Sequence, residues 1–272
     1  MSLPRRVDRR NATFQHWQSL LGNRSKRHRT GEVLVQGVRP ITVAVDAGLE
    51  VVALLADADA RRSAWSRETI ERSGAPVVAV ATELMAELGE KEEAAPELLA
   101  VVRRPRSGPG DLPDRDDGLV LVLDRPTSPG NVGTLVRSAD ALGVHAVVVT
   151  GHAADPWDPR ALRASTGSMF ALPIITIDDP SPVLDWRDRR RAAGSDVTVL
   201  GTDESGATLL PHADPRGAVV VVVGNETRGM SRAWSEACDV VVSIPMTGSA
   251  SSLNAAASGS IALYELARRR WS

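Results

Sequence analysis

Three polar clusters interrupt otherwise apolar stretches of the chain, and their residue types suit the binding of a polar or phosphate-bearing ligand. The first is SPGNVGTLVRSADALG, Ser128 to Gly143, in which Asn131 and Arg137 stand six residues apart. That is too far for adjacent turns of one straight helix. With Asn131 in the loop or at the cap, however, both side chains can line the mouth of one crevice. A guanidinium there offers a planar fork to phosphate. The alternative is that Asn131 is a plain N-cap and Arg137 a solvated helix residue.

The second cluster, VVGNETRGMS (Val222 to Ser231), sets Gly224 and Gly229 at the spacing of a nucleotide-phosphate loop, with Ser231 in its final position. Met230 stands where that loop needs lysine, and Glu226 adds negative charge inside the cradle, which excludes a nucleoside triphosphatase. What remains is a glycine turn that offers backbone N–H groups and one carboxylate to a ligand, or a tight turn with a solvated Glu. The third cluster, IPMTGSASSLNAAASGSIALYEL, runs from Ile244 and Pro245 through a Ser/Gly loop to a helix opening near Ser252 and Asn254. Ser252 is the expected cap there. Asn254 is harder to explain, being a modest helix former in a first turn.

The clusters follow strand-like apolar runs. Strands are expected at Leu119–Leu123, Ala146–Thr150, Leu172–Ile177, Val197–Leu200, Ala218–Val223 and Val240–Ile244. Helices are expected at about 132–142, 159–169, 181–193, 231–237 and 253–270. Near-continuous β-branched strands alternating with helices predict an α/β fold with a parallel sheet covered on both faces. The small residues Ala255, Ala256, Ala257, Ser258 and Gly259 predict close packing on the first turns of the last helix.

Upstream, alternating short elements (helical Phe14–Gly22, strand Glu32–Gln36, strand Val51–Leu55, helix Ala64–Ser73, strand Val77–Val80) predict a smaller α/β unit. PRSGPGDLPDRDDG, from residue 105, is too rich in Pro, Gly and Asp for helix or strand and reads as a linker. The expected division is a basic arm or helix at 1–23, a small domain at 24–104, a linker at 105–117 and the main domain at 118–272.

The formal net charge is −2, which argues against indiscriminate nucleic-acid binding. Residues 1–30 nevertheless carry +7 and the remainder −9. Such a basic segment is an electrostatic footprint for RNA or DNA, or a solvated face. Cys238 is the single cysteine, so neither a disulfide framework nor a cysteine-based metal site is expected within one chain. No apolar run approaches a membrane span and the N-terminus lacks the apolar core of a secretion signal, so a cytoplasmic protein without membrane or metal is expected.

Together the three clusters resemble the SpoU (TrmH-like) branch of the SPOUT RNA methyltransferases. The family pattern N-x-G-x-x-x-R, then G-N-E-x-x-G, then I-P-M followed by S-L-N is met by Asn131, Gly133 and Arg137; by Gly224, Asn225, Glu226 and Gly229; and by Ile244, Pro245, Met246, Ser252, Leu253 and Asn254. Order and spacing match over roughly residues 118–270. LRASTGSMFALP, with Arg163, is also similar to a family segment, and residues 24–104 look like the small substrate-binding domain of rRNA-directed members. Ala255-Ala256-Ala257 departs from the family's frequent Val-Ser-Val, and Thr227-Arg228 fills a turn where a small residue is common.

The resemblance implies a parallel-sheet SPOUT domain with a C-terminal trefoil knot, in which S-adenosyl-L-methionine lies against Leu200-Gly201-Thr202, Gly224-Asn225-Glu226 and Ile244-Pro245-Met246, with Leu253 on the adenine side. It further implies a homodimer and methyl transfer to a ribose 2′-OH, with Asn131, Arg137, Glu226, Ser252 and Asn254 as the catalytic group. RNA contacts are expected at Arg27, Arg29, Arg39, Arg137 and Arg163. Large-subunit rRNA is favoured as substrate. A tRNA 2′-O-methyltransferase and a non-catalytic RNA-binding relative are the alternatives, although the latter would be expected to lack Asn131, Arg137, Glu226 or Asn254.

Overall fold

The computed structural model describes residues 5–90 and 95–271. The chain forms two compact units: one extends to Pro105 and also takes in Trp157–Ala171, and the other holds Arg106–Pro156 and everything from Leu172 on. In chain order the first contains β1 (Arg5–Val7), α1 (Ala12–Gly22), α2 (Arg24–Thr30), β2 (Glu32–Gln36), α3 (Val38–Asp46), β3 (Val51–Asp57), α4 (Ala64–Ser73), β4 (Val77–Val80), α5 (Thr82–Gly89) and β5 (Leu98–Arg103). The remainder of the chain contributes β6 (Leu119–Asp124), α6 (Pro129–Ala141), β7 (Ala146–Thr150), α7 (Pro159–Ser165), β8 (Ile174–Ile177), α8 (Ser181–Ala192), β9 (Val197–Thr202), β10 (Thr208–Leu209), β11 (Ala218–Val223), α9 (Arg232–Ala237), β12 (Val240–Ser243) and α10 (Ala255–Arg268).

The first unit is a five-stranded sheet in the order β1-β4-β3-β5-β2, with β5 antiparallel to both of its neighbours. The basic segment expected at 1–23 as an arm or helix contains the helix α1 and, from Arg5 on, is part of this unit instead of a division of its own. β1 pairs with β4, and Val7, Phe14, Trp17 and Leu20 lie in the same core as Leu34, Leu55 and Leu99. Asn11 starts α1 by accepting from the Phe14 amide (3.0 Å), and the i, i+3, i+6 spacing of Phe14, Trp17 and Leu20 turns one apolar face inward. α7 also belongs here although it lies within the expected main domain. Gly167, just past its end, has φ +101°, and a Cβ there would come within 3.0 Å of Val43 and 3.2 Å of Pro40.

The second unit is a seven-stranded parallel sheet in the order β10-β12-β9-β11-β6-β7-β8. All six residues of β11, AVVVVV, are buried, as expected for a central strand covered on both faces. The expected linker is not free. Leu112 enters the core of this unit, and Arg190 donates to Asp114 and to Asp116. Gly259 of α10 explains the small-residue stretch: a Cβ there would lie 2.6 Å from Leu135 of α6 and 3.0 Å from Val223 of β11. Because all seven strands are parallel, the loops after β6, β9, β11 and β12 leave from one end of the sheet, where ligands of open α/β sheets bind.

Candidate active site

β6 ends in Asp124, and the next residue, Arg125, adopts φ +52°, uncommon for a residue with a Cβ. Three residues on, Ser128 caps α6 by accepting from the Asn131 amide (3.3 Å), with Pro129 in the first turn. Asn131 is therefore not the cap; it lies in the first turn with its side chain available.

The loop after β11 is folded back on itself. The backbones of Asn225 and Gly229 exchange two hydrogen bonds of 3.0 Å, and a Cβ on Gly224 would meet the Met230 nitrogen at 2.4 Å. Asn225 Oδ1 accepts from the Thr227 amide and hydroxyl and from the Arg228 amide, each at 3.0 Å. Its Nδ2 donates to the Arg125 carbonyl at 2.6 Å. In return, Arg125 Nη2 donates to the Gly229 carbonyl (3.0 Å) and the Ser231 amide donates to the buried carboxylate of Asp124 (2.5 Å). These bonds clip the GNETRG turn to the end of β6.

The clip places Glu226 over the start of α6. Its carboxylate accepts from the Thr127 amide (3.0 Å) and hydroxyl (2.8 Å), the Ser128 amide (3.2 Å) and Asn131 Nδ2 (3.1 Å). Burial alone pushes this carboxyl up, but those donors outweigh it and hold it below the usual carboxylate range. Asn131 Oδ1 in turn accepts from Asn254 Nδ2 (3.3 Å). Asn254 Oδ1 accepts from the Ala256 amide (2.8 Å), so Asn254, rather than the expected Ser252, is the cap of α10. One side chain thus both starts the last helix and joins the site, which accounts for an Asn at that position. Glu226, Asn131 and Asn254 form a continuous chain of hydrogen bonds.

Beside this chain lies a cavity of about 480 Å³, lined by Thr202, Gly224, Asn225, Glu226, Ile244, Met246, Ser252 and Leu253 among others. Of the expected cofactor residues, Leu200, Gly201 and Pro245 are not in its wall. Leu200 is fully buried, and a Cβ on Gly201 would run into Met230 and Cys238. Pro245 is exposed. Arg137 is exposed on α6, its side chain makes no hydrogen bond or ion pair among the described residues, and it does not line the cavity.

The basic residues of the first unit divide. Arg27 is 2% exposed; its Nη1 donates to the Leu20 and Leu21 carbonyls, and Asp158 lies 3.9 Å away, so it holds the fold together and is not a free RNA contact. Arg163 is paired with Glu90 at 2.5 Å. Arg29 and Arg39 are exposed and without a partner among the described residues. Burial pushes the Cys238 thiol up to about 11, which removes it as a nucleophile near neutral pH. Among the described residues no group of His, Cys, Asp and Glu is arranged to hold a metal, and no helix is long and apolar enough to cross a membrane.

Sequence reading missed Asp124, Arg125 and Thr127, which fix the turn, and Asp203, Glu204 and Arg228, which line the cavity. The first three are visible only as the residues directly after a strand that runs out into a site loop. Asp203 and Glu204 follow β9 in the same way.

A parallel sheet whose site loops converge at one carboxyl end, with a Glu–Asn–Asn chain beside a cofactor-sized cavity, fits a transferase of the α/β class. Residues 118–264 match the SpoU rRNA Methylase family and residues 11–100 match the SpoU L30e-like domain. The chain belongs to the SpoU rRNA methylase family. It is 50% identical over 266 residues to the 23S rRNA (uridine(2479)-2′-O)-methyltransferase of Streptomyces viridochromogenes, covering 98% of this chain and 93% of that one. The crystal structure of the SpoU methyltransferase AviRb from the same organism, in complex with AdoMet, matches with a TM-score of 0.91 and 50% identity over 97% of this chain and 99% of that one. An AdoMet-bound rRNA methyltransferase from Sinorhizobium meliloti matches with a TM-score of 0.85 at 25% identity, covering 98% of each chain.

Proposed function

We propose that this chain is an S-adenosylmethionine-dependent methyltransferase acting on a ribose 2′-OH of 23S rRNA. The observation that carries the reading is the Glu226–Asn131–Asn254 chain at the edge of the cavity, in a protein half identical to an enzyme of that name. The cavity suits the cofactor chemically. Its volume is within the range of small-molecule sites, Val223, Val242, Ile244 and Leu253 give it apolar wall for a base, and Asp203 and Glu204 suit a ligand of net positive charge. When bound, S-adenosylmethionine supplies an electrophilic methyl group on sulfur.

The protein has to place the ribose and accommodate the charge that develops on its oxygen. Glu226, already accepting from four donors, is a fixed charge that orients Asn131, not a base. Asn131 and Asn254 offer amides to the ribose hydroxyls, and Ser252 adds a hydroxyl from the cavity wall. Arg137 stays protonated and serves as cation toward the nascent alkoxide or an adjacent phosphate. Along α6 it lies about 9 Å from Asn131 and about a third of a turn around, which is why we assign it to the site of a second copy of the chain. The exposed Ile261, Tyr264 and Trp271 of the last helix and its end (40%, 52% and 63%) give such a homodimer an apolar face. Insertion of β12 between β9 and β10, strands consecutive in the chain, supports the trefoil knot as part of the same reading. Arg29 and Arg39 of the L30e-like unit are the candidate RNA contacts outside the site.

The test is methyl transfer from labelled S-adenosylmethionine to 23S rRNA and, separately, to tRNA, with the labelled nucleotide mapped. Label on one ribose 2′-O of 23S rRNA is expected; label confined to tRNA overturns the substrate, and no label in either overturns the activity. Mixing inactive Arg137→Ala with inactive Glu226→Ala should restore about a quarter to a half of the wild-type rate if the site is shared between copies, and none if it is not.

A further inference from the structure

We propose that Arg228 is the residue with which this site grips a phosphate of the substrate RNA; the inference rests on the reading that RNA is the substrate. Arg228 lines the cavity together with three carboxylates, those of Asp203, Glu204 and Glu226. None of them holds it: Arg228 is exposed, and its guanidinium makes no hydrogen bond or ion pair among the described residues. A long, exposed cation that pairs with none of the three acids around it keeps its whole guanidinium for a ligand.

Its backbone, by contrast, is fixed. The Arg228 amide donates to Asn225 Oδ1 (3.0 Å), Asn225 is itself tied to the Arg125 carbonyl (2.6 Å), and Arg125 holds the carbonyl of the next residue, Gly229 (3.0 Å). The stem of Arg228 therefore leaves a rigid turn at a set position, while its head has nothing to release before binding. Preorganisation of this kind lowers the cost of capturing a ligand.

Distance fits a phosphate of the reacting nucleotide. Arg228 is two residues from Glu226, so their Cα atoms are at most about 7 Å apart. Glu226 orients Asn131, where the ribose is placed, and that ribose is flanked by a phosphate on either side. A guanidinium takes phosphate bidentately, and a polyanion approaching a cavity lined by three acids requires such a cation at the entrance.

The experiment compares wild type, Arg228→Ala and Arg228→Lys. RNA affinity is measured against salt concentration with a 23S rRNA transcript, S-adenosylmethionine affinity by calorimetry, and methyl transfer under steady state. Arg228→Ala should raise the KM for RNA about tenfold, leave cofactor affinity within about twofold and flatten the salt dependence by about one counterion. Arg228→Lys, a point charge without the fork, should recover the salt dependence and only part of the KM. An unchanged salt dependence and KM overturn the proposal, as does a loss expressed mainly in cofactor affinity, which would assign Arg228 to the cofactor's carboxylate. Should wild type transfer no methyl group, the reading of the reaction fails, and the salt dependence still decides whether Arg228 contacts RNA phosphate.

Discussion

The two walls of the cavity are built in opposite ways. On one side, the lining turn 224–229 and the two residues after it are cross-linked by side chains to residues 124–131 behind them: Asp124 to Ser231, Arg125 to Gly229, Asn225 to Arg125, and Glu226 to Thr127, Ser128 and Asn131. On the other, residues 245–253 are exposed throughout and make no hydrogen bond among the described residues, until Asn254 anchors the chain again. A wall whose carboxylate and amide groups are already bonded to one another holds reacting groups without reorganisation. A wall with few internal bonds is drawn from the low-stability end of the structure, where ligand-binding loops are found. The contrast teaches a division of labour that the proposed function needs: a bonded wall to fix the reacting groups, and an open wall free to adjust to what binds.

The largest effect should follow from breaking the bonded wall at its centre. Glu226→Ala leaves the Thr127 and Ser128 amides and Asn131 without their acceptor. We expect kcat for methyl transfer to fall on the order of 10²–10³-fold, as for loss of a preorganised charge at a reacting centre. Unfolding stability should fall by about 1–3 kcal/mol. The conservative Glu226→Gln sharpens the comparison through pH. Because the folded carboxyl lies below its usual value, its contribution to stability is complete above the unfolded pKa and is lost as pH falls through the folded one. Denaturant titrations should therefore show wild type converging on Glu226→Gln in acid, with the gap between them complete and constant from about pH 5 upward. A constant gap at all pH values would mean that the carboxylate's charge is not what the turn depends on.

Much of this was legible in the sequence, and the limits have physical causes. The strands of the second unit announce themselves because both sheet faces are covered, so β6, β7 and β11 read as unbroken apolar runs. α3 was hidden by its β-branched Val38, Ile41, Thr42, Val43 and Val45, which look like strand. The small residues of α10 did foretell close approach, realised at Gly259. The motif residues Asn131, Glu226 and Asn254 were found, but their bonding order was not, since it depends on which of Ser252 and Asn254 caps α10. Arg27 misled for a related reason: its burial comes from carbonyls six and seven residues earlier and from Asp158, and charge counting along the chain shows neither. The L30e-like unit's claim on Trp157–Ala171 was equally invisible, because sequence order places that segment between two strands of the other unit.

The smallest effect should come from the open wall, and it bears most directly on the contrast. Ser252 was the expected cap, yet it is exposed, makes no hydrogen bond among the described residues and lines the cavity. Removal of a true cap costs about 1 kcal/mol, whereas a surface change away from structural bonds stays within about 0.5 kcal/mol. Ser252→Ala should therefore leave the unfolding midpoint where it is, while Asn254→Ala lowers it by the cost of a cap. Any loss of turnover in Ser252→Ala at unchanged stability then has to arise from a contact made only with bound ligand. Equal destabilisation by the two variants would show the open wall to be as tightly bonded as its neighbour, and the division between the walls would fail.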